Sequence, residues 1–391
     1  MPELRTLLAG QQPNPMFRIA ARVHGRDDIL HLEFGEPDFA TPPHVVEAGL
    51  RSLRDERQGY GPGNGIGALR AAIAERVRRV NRFAPAADQV IASAGGTGGL
   101  MAALLCLCQR DDEVLVPDPA WAGYDAMLAA AGARMVRYPL QPARGWQPDL
   151  EAVEAAISPR SRVLLLNSPS NPGGAVFSRE TIERLVALAR RHDLWVLSDE
   201  CYDEFVFEGE HVSPACFDED GRVVTVGTCS KAYAMTGWRA GWVVAPERLA
   251  GSVTLAVSAA INNLPLFVQR AAVAALTGPQ QCVREMAAAY RERRDLAVGL
   301  LRERGALQYL PQGAFYLLAA LSGDAEPGVD SVAFAEALIA EWGIAIAPGV
   351  AFGPATARYA RVSLASAPEE LRVGISGMLD FAATWRQRAA T

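Results

Sequence analysis

Val223-Val224-Thr225-Val226-Gly227-Thr228-Cys229-Ser230-Lys231 is the stretch on which the fold class of this 391-residue chain turns. Its β-branched run, ending abruptly at Gly227 and Thr228, reads as a buried strand. A lysine flanked by hydroxyl groups follows, and Arg239 stands eight residues later. Strand ends are where open α/β sheets hold their ligands. An amine there can form a Schiff base with a carbonyl, and Thr228, Ser230 and Arg239 suit a dianionic phosphate. The plainer reading is an ordinary surface loop.

Working outward, strand-like runs alternate with helical patterns between about residues 90 and 245, the signature of a mostly parallel sheet covered by helices. Strands are expected at 114–116, 163–166, 194–197, 223–227 and 241–244, and a helix over 178–192 with Ser178 as its N-cap. The strand ends carry Pro117-Asp118-Pro119-Ala120-Trp121, then Asn167-Ser168-Pro169-Ser170-Asn171-Pro172-Gly173-Gly174, then Ser198-Asp199-Glu200-Cys201-Tyr202, then the lysine segment. One ligand would use all of these: an aromatic ring bearing an aldehyde, a phenolic oxygen, a ring nitrogen and a phosphate, which describes pyridoxal phosphate. Trp121 can stack on the ring, Asp199 can pair with its protonated nitrogen, and Asn171 and Tyr202 can hydrogen-bond the phenolic oxygen. Upstream, Ser93-Ala94-Gly95-Gly96-Thr97-Gly98-Gly99-Leu100 reads as a glycine loop opening a helix to about residue 109, whose N-terminal amides can cradle the phosphate.

Further stretches complete a recognisable set: Gly35-Glu36-Pro37-Asp38-Phe39, Tyr60 with Gly61-Pro62-Gly63-Asn64-Gly65, and Arg361-Val362-Ser363-Leu364. Asn171 to Asp199 is 28 residues and Asp199 to Lys231 is 32. In order and spacing the chain resembles the pyridoxal-phosphate-dependent aminotransferases of class I/II, the aspartate aminotransferase superfamily of fold type I. The resemblance implies a large domain with a mostly parallel seven-stranded sheet and a smaller α+β domain. It also implies a homodimer acting on amino acids and 2-oxo acids by a ping-pong mechanism. Lys231 would be the Schiff-base lysine and proton shuttle, with Asp199 and Tyr202 assisting catalysis. Gly96, Thr97, Thr228, Ser230 and Arg239 would hold the phosphate, with Tyr60 reaching it from the other subunit. Arg361 would bind the substrate α-carboxylate, aided by Asn171 and the backbone at Gly35. Asn262, Asn263, Phe17, Ile19, Phe315 and Tyr316 are expected near the substrate. Ala120 stands where relatives often carry an aromatic, which implies a roomier wall, and Gly98-Gly99 replaces better helix formers.

The bulk properties fit a globular enzyme. The formal net charge is -6 with 21% charged residues, so no basic surplus exists for nucleic acid. The Arg76-Val77-Arg78-Arg79 and 291–294 clusters read as solvated helix faces. The six cysteines form neither a disulfide framework nor a metal set, and no metal is expected; Cys201 and Cys229 read as small apolar fillers. Membrane spans are not expected, and Met1-Pro2-Glu3-Leu4-Arg5 lacks a signal core, so the expected location is cytoplasmic. Residues 1–40 read as an arm with part of the small domain, 41–280 as the large cofactor-binding domain, and 281–391 as the small domain, with a long helix at 285–304 and strands at 315–319, 344–347 and 359–364. Two rivals stay open: a C–S β-lyase or other enzyme of this fold, and a non-catalytic regulator. Roughly 30 residues precede the first motif, too few for a winged-helix module.

Overall fold

The computed structural model describes residues 8, 12–322 and 329–389. Met1 to Arg5, on which the signal-sequence reading rests, lies outside the described residues. Among the described residues no helix is long and apolar enough to cross a membrane.

The chain enters through helix α1 (Pro15–Val23), a two-residue strand β1 (Leu30–His31) and helices α2 (Pro43–Asp55) and α3 (Gly67–Val80). The main sheet then forms from β2 (Val90–Ala94), β3 (Glu113–Asp118), β4 (Arg134–Gln141), β5 (Gln147–Pro148), β6 (Ser161–Asn167), β7 (Trp195–Asp199), β8 (Val223–Thr228) and β9 (Ala240–Val244). Helices α4 (Gly95–Leu107), α5 (Gly123–Ala131), α6 (Leu150–Ala155) and α7 (Arg179–Arg191) connect them, and α8 (Glu247–Ile261) and α9 (Leu266–Thr277) follow. The order across the sheet is β2-β9-β8-β7-β6-β3-β4-β5. Pairs β8/β7, β7/β6, β6/β3 and β3/β4 are parallel, whereas β9 runs against both its neighbours. The sheet has eight strands rather than seven, because Gln147–Pro148 folds back antiparallel on the end of β4.

Alternation along the strands divides the core. Val163 and Leu165 face a cluster with Leu100, Leu104 and Val253, while Leu164 and Leu166 face one with Leu185, Phe315 and Leu338. Both faces are apolar because helices cover both. Helix α7 confirms its expected cap: the Ser178 side chain accepts from Thr181 N.

The last part of the chain comprises α10 (Gln281–Glu303), β10 (Tyr316–Ala320), α11 (Ser331–Trp342), β11 (Ile344–Ala345), β12 (Ala347–Pro348), β13 (Tyr359–Ser363) and α12 (Pro368–Ala389). The single strand expected over 344–347 is two short ones: β11 pairs with β1, and β12 joins the three-stranded sheet β10-β13-β12.

The proline-rich start is a helix and not only an irregular arm. Asn14 accepts from Met16 N, and Pro15 occupies the first turn, where its missing N–H costs nothing. The basic clusters are also not simply solvated. Arg76 is 2% exposed and grips Asp203 through two hydrogen bonds of 2.5 and 2.6 Å, Arg293 holds Asp38 through two of 2.8 Å, and Arg294 donates to Pro311 O at 2.7 Å. A guanidinium can be buried where its planar fork meets a carboxylate or carbonyl.

Candidate active site

The carboxyl ends of β2, β3, β6, β7 and β8 lie along one edge of the sheet and open into a cavity of about 280 Å³. Gly35, Gly96, Thr97, Trp121, Asn171, Asp199, Tyr202, Thr228, Ser230, Lys231, Arg239 and Arg361 all line it. Of the residues expected to hold the cofactor or the α-carboxylate, Tyr60 stands apart. It is 90% exposed in the segment between α2 and α3 and does not reach this chain's own cavity.

Lys231 Nζ donates to the carbonyl of Gly35 at 2.6 Å and lies 5.9 Å from the Phe315 ring centre. Burial lowers its pKa to about 8, with Arg361 and Arg239 pushing the same way against Cys201 and Glu36. Thr228 Oγ1 and Ser230 Oγ are 2.8 Å apart, and Ser230 N donates to Thr228 Oγ1. Arg239 closes this corner with its Nη1 on Thr236 O at 2.8 Å.

The expected glycine loop is absent: β2 runs straight into α4, whose first residue is Gly95. Gly95 has φ +71°, and a Cβ there would lie 2.5 Å from the Arg239 guanidinium. A Cβ on Gly96 would lie 2.8 Å from Cys201 Sγ. The first turn of α4, with its unpaired amides, therefore comes close to Arg239, Cys201 and Thr228, and Gly96 and Thr97 line the cavity with Ser230.

Asp199 ends β7, fully buried. Its Oδ2 accepts from the Tyr124 hydroxyl at 2.6 Å and its Oδ1 from Cys201 N at 3.2 Å. Burial raises its pKa against those hydrogen bonds. Asn167 sits beside it in register on β6, donating Nδ2 to Asp199 O at 3.0 Å and accepting from Asn171 N at 2.9 Å. One amide thus positions both Asp199 and Asn171.

Arg361, in the middle of β13, is 2% exposed between the rings of Tyr316 and Phe352. Nη1 donates to Asn171 Oδ1 at 3.2 Å, Nη2 donates to the Glu33 carbonyl, and Nε has no partner. Burial lowers its pKa. Ser363 N donates to Leu32 O, which holds the segment carrying Glu33 and Gly35 against β13.

Some expectations change here. Phe17 and Tyr316 line the cavity, but Ile19 is core and Phe315 sits behind Lys231. Asn262 and Asn263 border the glycine segment after Tyr60, where Gly61 N donates to Asn263 Oδ1. Ala120 is buried with its N–H on Phe352 O, so it forms no wall of the cavity. Cys229 is a core filler, whereas Cys201 lines the cavity next to Asp199.

Tyr124 escaped the sequence reading, which also gave Asn167 no role of its own and passed over a plain compositional signal. Lys231 is the only lysine in the chain, the remaining 37 of its 38 basic residues being arginine. Behind Asp199, Glu200, Asp203 and His211 bring ligand-type atoms within 4.8 Å of one another. The centre of that group is filled by Asn81 Nδ2, which lies 2.6 Å from Glu200, 2.9 Å from Asp203 and 3.3 Å from His211. It is a hydrogen-bonded network.

The residues fit the pyridoxal phosphate that the resemblance implies. An anion cradle, a buried carboxylate, an indole and a desolvated amine line one cavity, and the unpartnered Arg361 Nε awaits an acceptor. Comparison with known proteins agrees. The aminotransferase class I and II family matches residues 27–377. The arginine–pyruvate transaminase AruH of Pseudomonas aeruginosa is 40% identical over 91% of this chain and 90% of its own. The aspartate/prephenate aminotransferase of Thermus thermophilus is 38% identical over 88% and 89%. The structure of Thermus thermophilus aspartate aminotransferase with maleate superposes with TM-score 0.90 at 35% identity, covering 97% of this chain and all of that one. With Lys231 at the strand end where the chemistry is expected, this chain belongs to the class I and II aminotransferases, pyridoxal-phosphate-dependent enzymes of fold type I.

Proposed function

We propose that this aminotransferase carries the amino group of a non-acidic L-amino acid to a 2-oxo acid in two half-reactions, with Lys231 as amine and proton carrier. The carrying observation is the desolvated Nζ of Lys231 in one cavity with Asp199 and a buried Arg361 whose Nε lacks a partner. Pyridoxal phosphate, when bound, supplies an aldehyde that condenses with amines and a ring that takes up the electron pair released at the donor's α-carbon. Thr228, Ser230, Arg239 and the amides of Gly96 and Thr97 hold its phosphate. Asp199, supported by Tyr124, keeps the ring nitrogen protonated, and Trp121 covers the ring. Asn171 and Tyr202 hydrogen-bond the phenolic oxygen.

Arg361 grips the donor's α-carboxylate beside Asn171 and Gly35. With the cofactor bound, Lys231 Nζ would take the donor's α-proton and return it within the same cavity. Because a 2-oxo acid leaves before the second one binds, the kinetics are ping-pong. The enzyme works as a homodimer in which Tyr60 reaches the partner's phosphate.

Charge supports the donor class. Among the described residues lining the cavity the cations are Lys231, Arg239 and Arg361, each already assigned. The rest of the mouth is Met16, Phe17, Ala20, Phe34, Leu100 and Thr236, with the carboxylate of Glu36; the Glu33 carboxyl is buried on His31 Nδ1. A distal carboxylate finds like charge there, whereas an apolar stem with a neutral or cationic end does not. The name of the Pseudomonas relative makes arginine and pyruvate the first pair to test. In a donor panel, kcat/KM for arginine should exceed that for aspartate at least about tenfold, a difference of about 1.4 kcal/mol. Aspartate as the best donor would overturn the donor class, and pyruvate with ammonia released from cysteine conjugates without any acceptor would overturn transfer itself.

A further inference from the structure

Tyr316 is the first residue of β10 and pairs in register with Ser363. It is 1% exposed and touches three parts of the site at once. Its hydroxyl lies 2.9 Å from the Tyr202 hydroxyl. Its ring centre lies 4.5 Å from the Arg361 guanidinium carbon, a cation–π contact in a water-poor setting. Any Cβ at position 35 would collide with its hydroxyl, so Gly35, whose carbonyl holds Lys231, abuts the same oxygen. The two tyrosine rings meet edge to face at 83° with centres 5.6 Å apart, which fixes where both hydroxyls point.

We propose that Tyr316 is a positioning residue that sets the proton of Tyr202 and thereby the proton affinity at Lys231; this rests on Tyr202 serving the cofactor's phenolic oxygen. A phenol has one proton and two acceptor lone pairs. If Tyr316 donates to Tyr202 Oη, the Tyr202 proton is committed to the cavity. Each donor in such a chain strengthens the next, because donation polarises the following O–H. A stronger donor to the phenolic oxygen reduces that oxygen's negative charge. The neighbouring nitrogen of Lys231 then holds its proton less tightly, and its basicity is matched to neutral pH. The same Tyr316 ring supports Arg361, so a single side chain sets the distance between the α-carboxylate anchor and the proton-handling end of the site.

The test is the pH midpoint of the visible cofactor band, measured for wild type, Tyr316→Phe, Tyr202→Phe and the double variant. Phenylalanine keeps both rings and removes only the hydroxyls. Tyr316→Phe should raise the midpoint by about half to one pH unit, roughly three- to tenfold in proton affinity. Tyr202→Phe should raise it further, and adding Tyr316→Phe to Tyr202→Phe should change it no more. An unchanged midpoint in Tyr316→Phe beside a raised one in Tyr202→Phe overturns the role of Tyr316 and leaves that of Tyr202 standing. An equal shift from Tyr316→Phe in both backgrounds overturns the route through Tyr202. No shift in either single variant overturns the reading of Tyr202 as well.

Discussion

At Lys231 the decisive quantity is the fraction of neutral amine. Desolvation in the cavity lowers its pKa to about 8, so the nucleophilic form is common at neutral pH without any adjacent base. When pyridoxal phosphate is added to cofactor-free protein, the rate of appearance of the visible band should rise about tenfold per pH unit below pH 8 and flatten above it. A rate still climbing at pH 10 would mean an unshifted lysine. Lys231→Ala should abolish the band and lower kcat by at least about 10²- to 10⁴-fold, the usual worth of a positioned general base. Tyr124, which sequence reading missed, stands three positions after Trp121 as the second residue of α5. Its 2.6 Å hydrogen bond to Asp199 is charge-assisted, and Tyr124→Phe leaves a buried carboxylate oxygen without it. The expected loss in kcat/KM is about 1.5–3 kcal/mol, roughly tenfold to a hundredfold, with the cofactor held more weakly in equilibrium dialysis.

At the scale of elements, strands were legible and helix details less so. β8 and β6 are β-branched or leucine-rich runs with sharp ends, and the residues after them fell into one cavity as the parallel topology requires. The burial of Arg76, Arg293 and Arg294 was not legible, because their partners Asp203, Asp38 and Pro311 come from distant segments. The glycines of α4 also needed the structure. A Cβ on Gly99 would meet Ser93, Val243 and Val226 at 3.0–3.1 Å, whereas one on Gly98 would meet only Ala94, at 3.2 Å. Gly99→Ala should therefore destabilise by about 1–3 kcal/mol through overpacking against β8 and β9. Gly98→Ala should instead stabilise by up to about 1 kcal/mol by helix propensity, so thermal denaturation should move Tm in opposite directions for the two. Behind β7, burial lowers the proton affinity of His211, but its hydrogen bond to Glu200 together with the charges of Glu200 and Asp203 outweighs this and raises the pKa. That contribution is fully present below pH about 6.5 and is lost as pH rises through the folded-state value. His211→Ala should thus lower Tm more at pH 6 than at pH 9.

At the scale of the molecule, three distant parts of the chain meet around one cavity. The segment after β1 supplies Gly35, β13 supplies Arg361, and the main sheet supplies Lys231 and Asp199. The meeting itself was predictable only through resemblance, since no local pattern places residue 35 beside residue 361. Tyr60 belongs to the same scale. An exposed tyrosine beside a glycine segment held by Asn263, with Leu50, Leu53, Leu255 and Ile261 exposed as well, fits a surface closed by a second copy. Sedimentation should show a dimer, and Tyr60→Phe should weaken cofactor binding about tenfold while leaving the dimer intact. The composition of the whole chain also makes the central claim unusually direct to test. With one lysine in 391 residues, no surface lysine can compete for the aldehyde. Borohydride reduction of the cofactor-loaded protein followed by intact-mass and peptide-mass analysis should find one pyridoxyl phosphate per chain, on the peptide containing Lys231. An unmodified chain, or label confined to the terminal amine, would contradict the account.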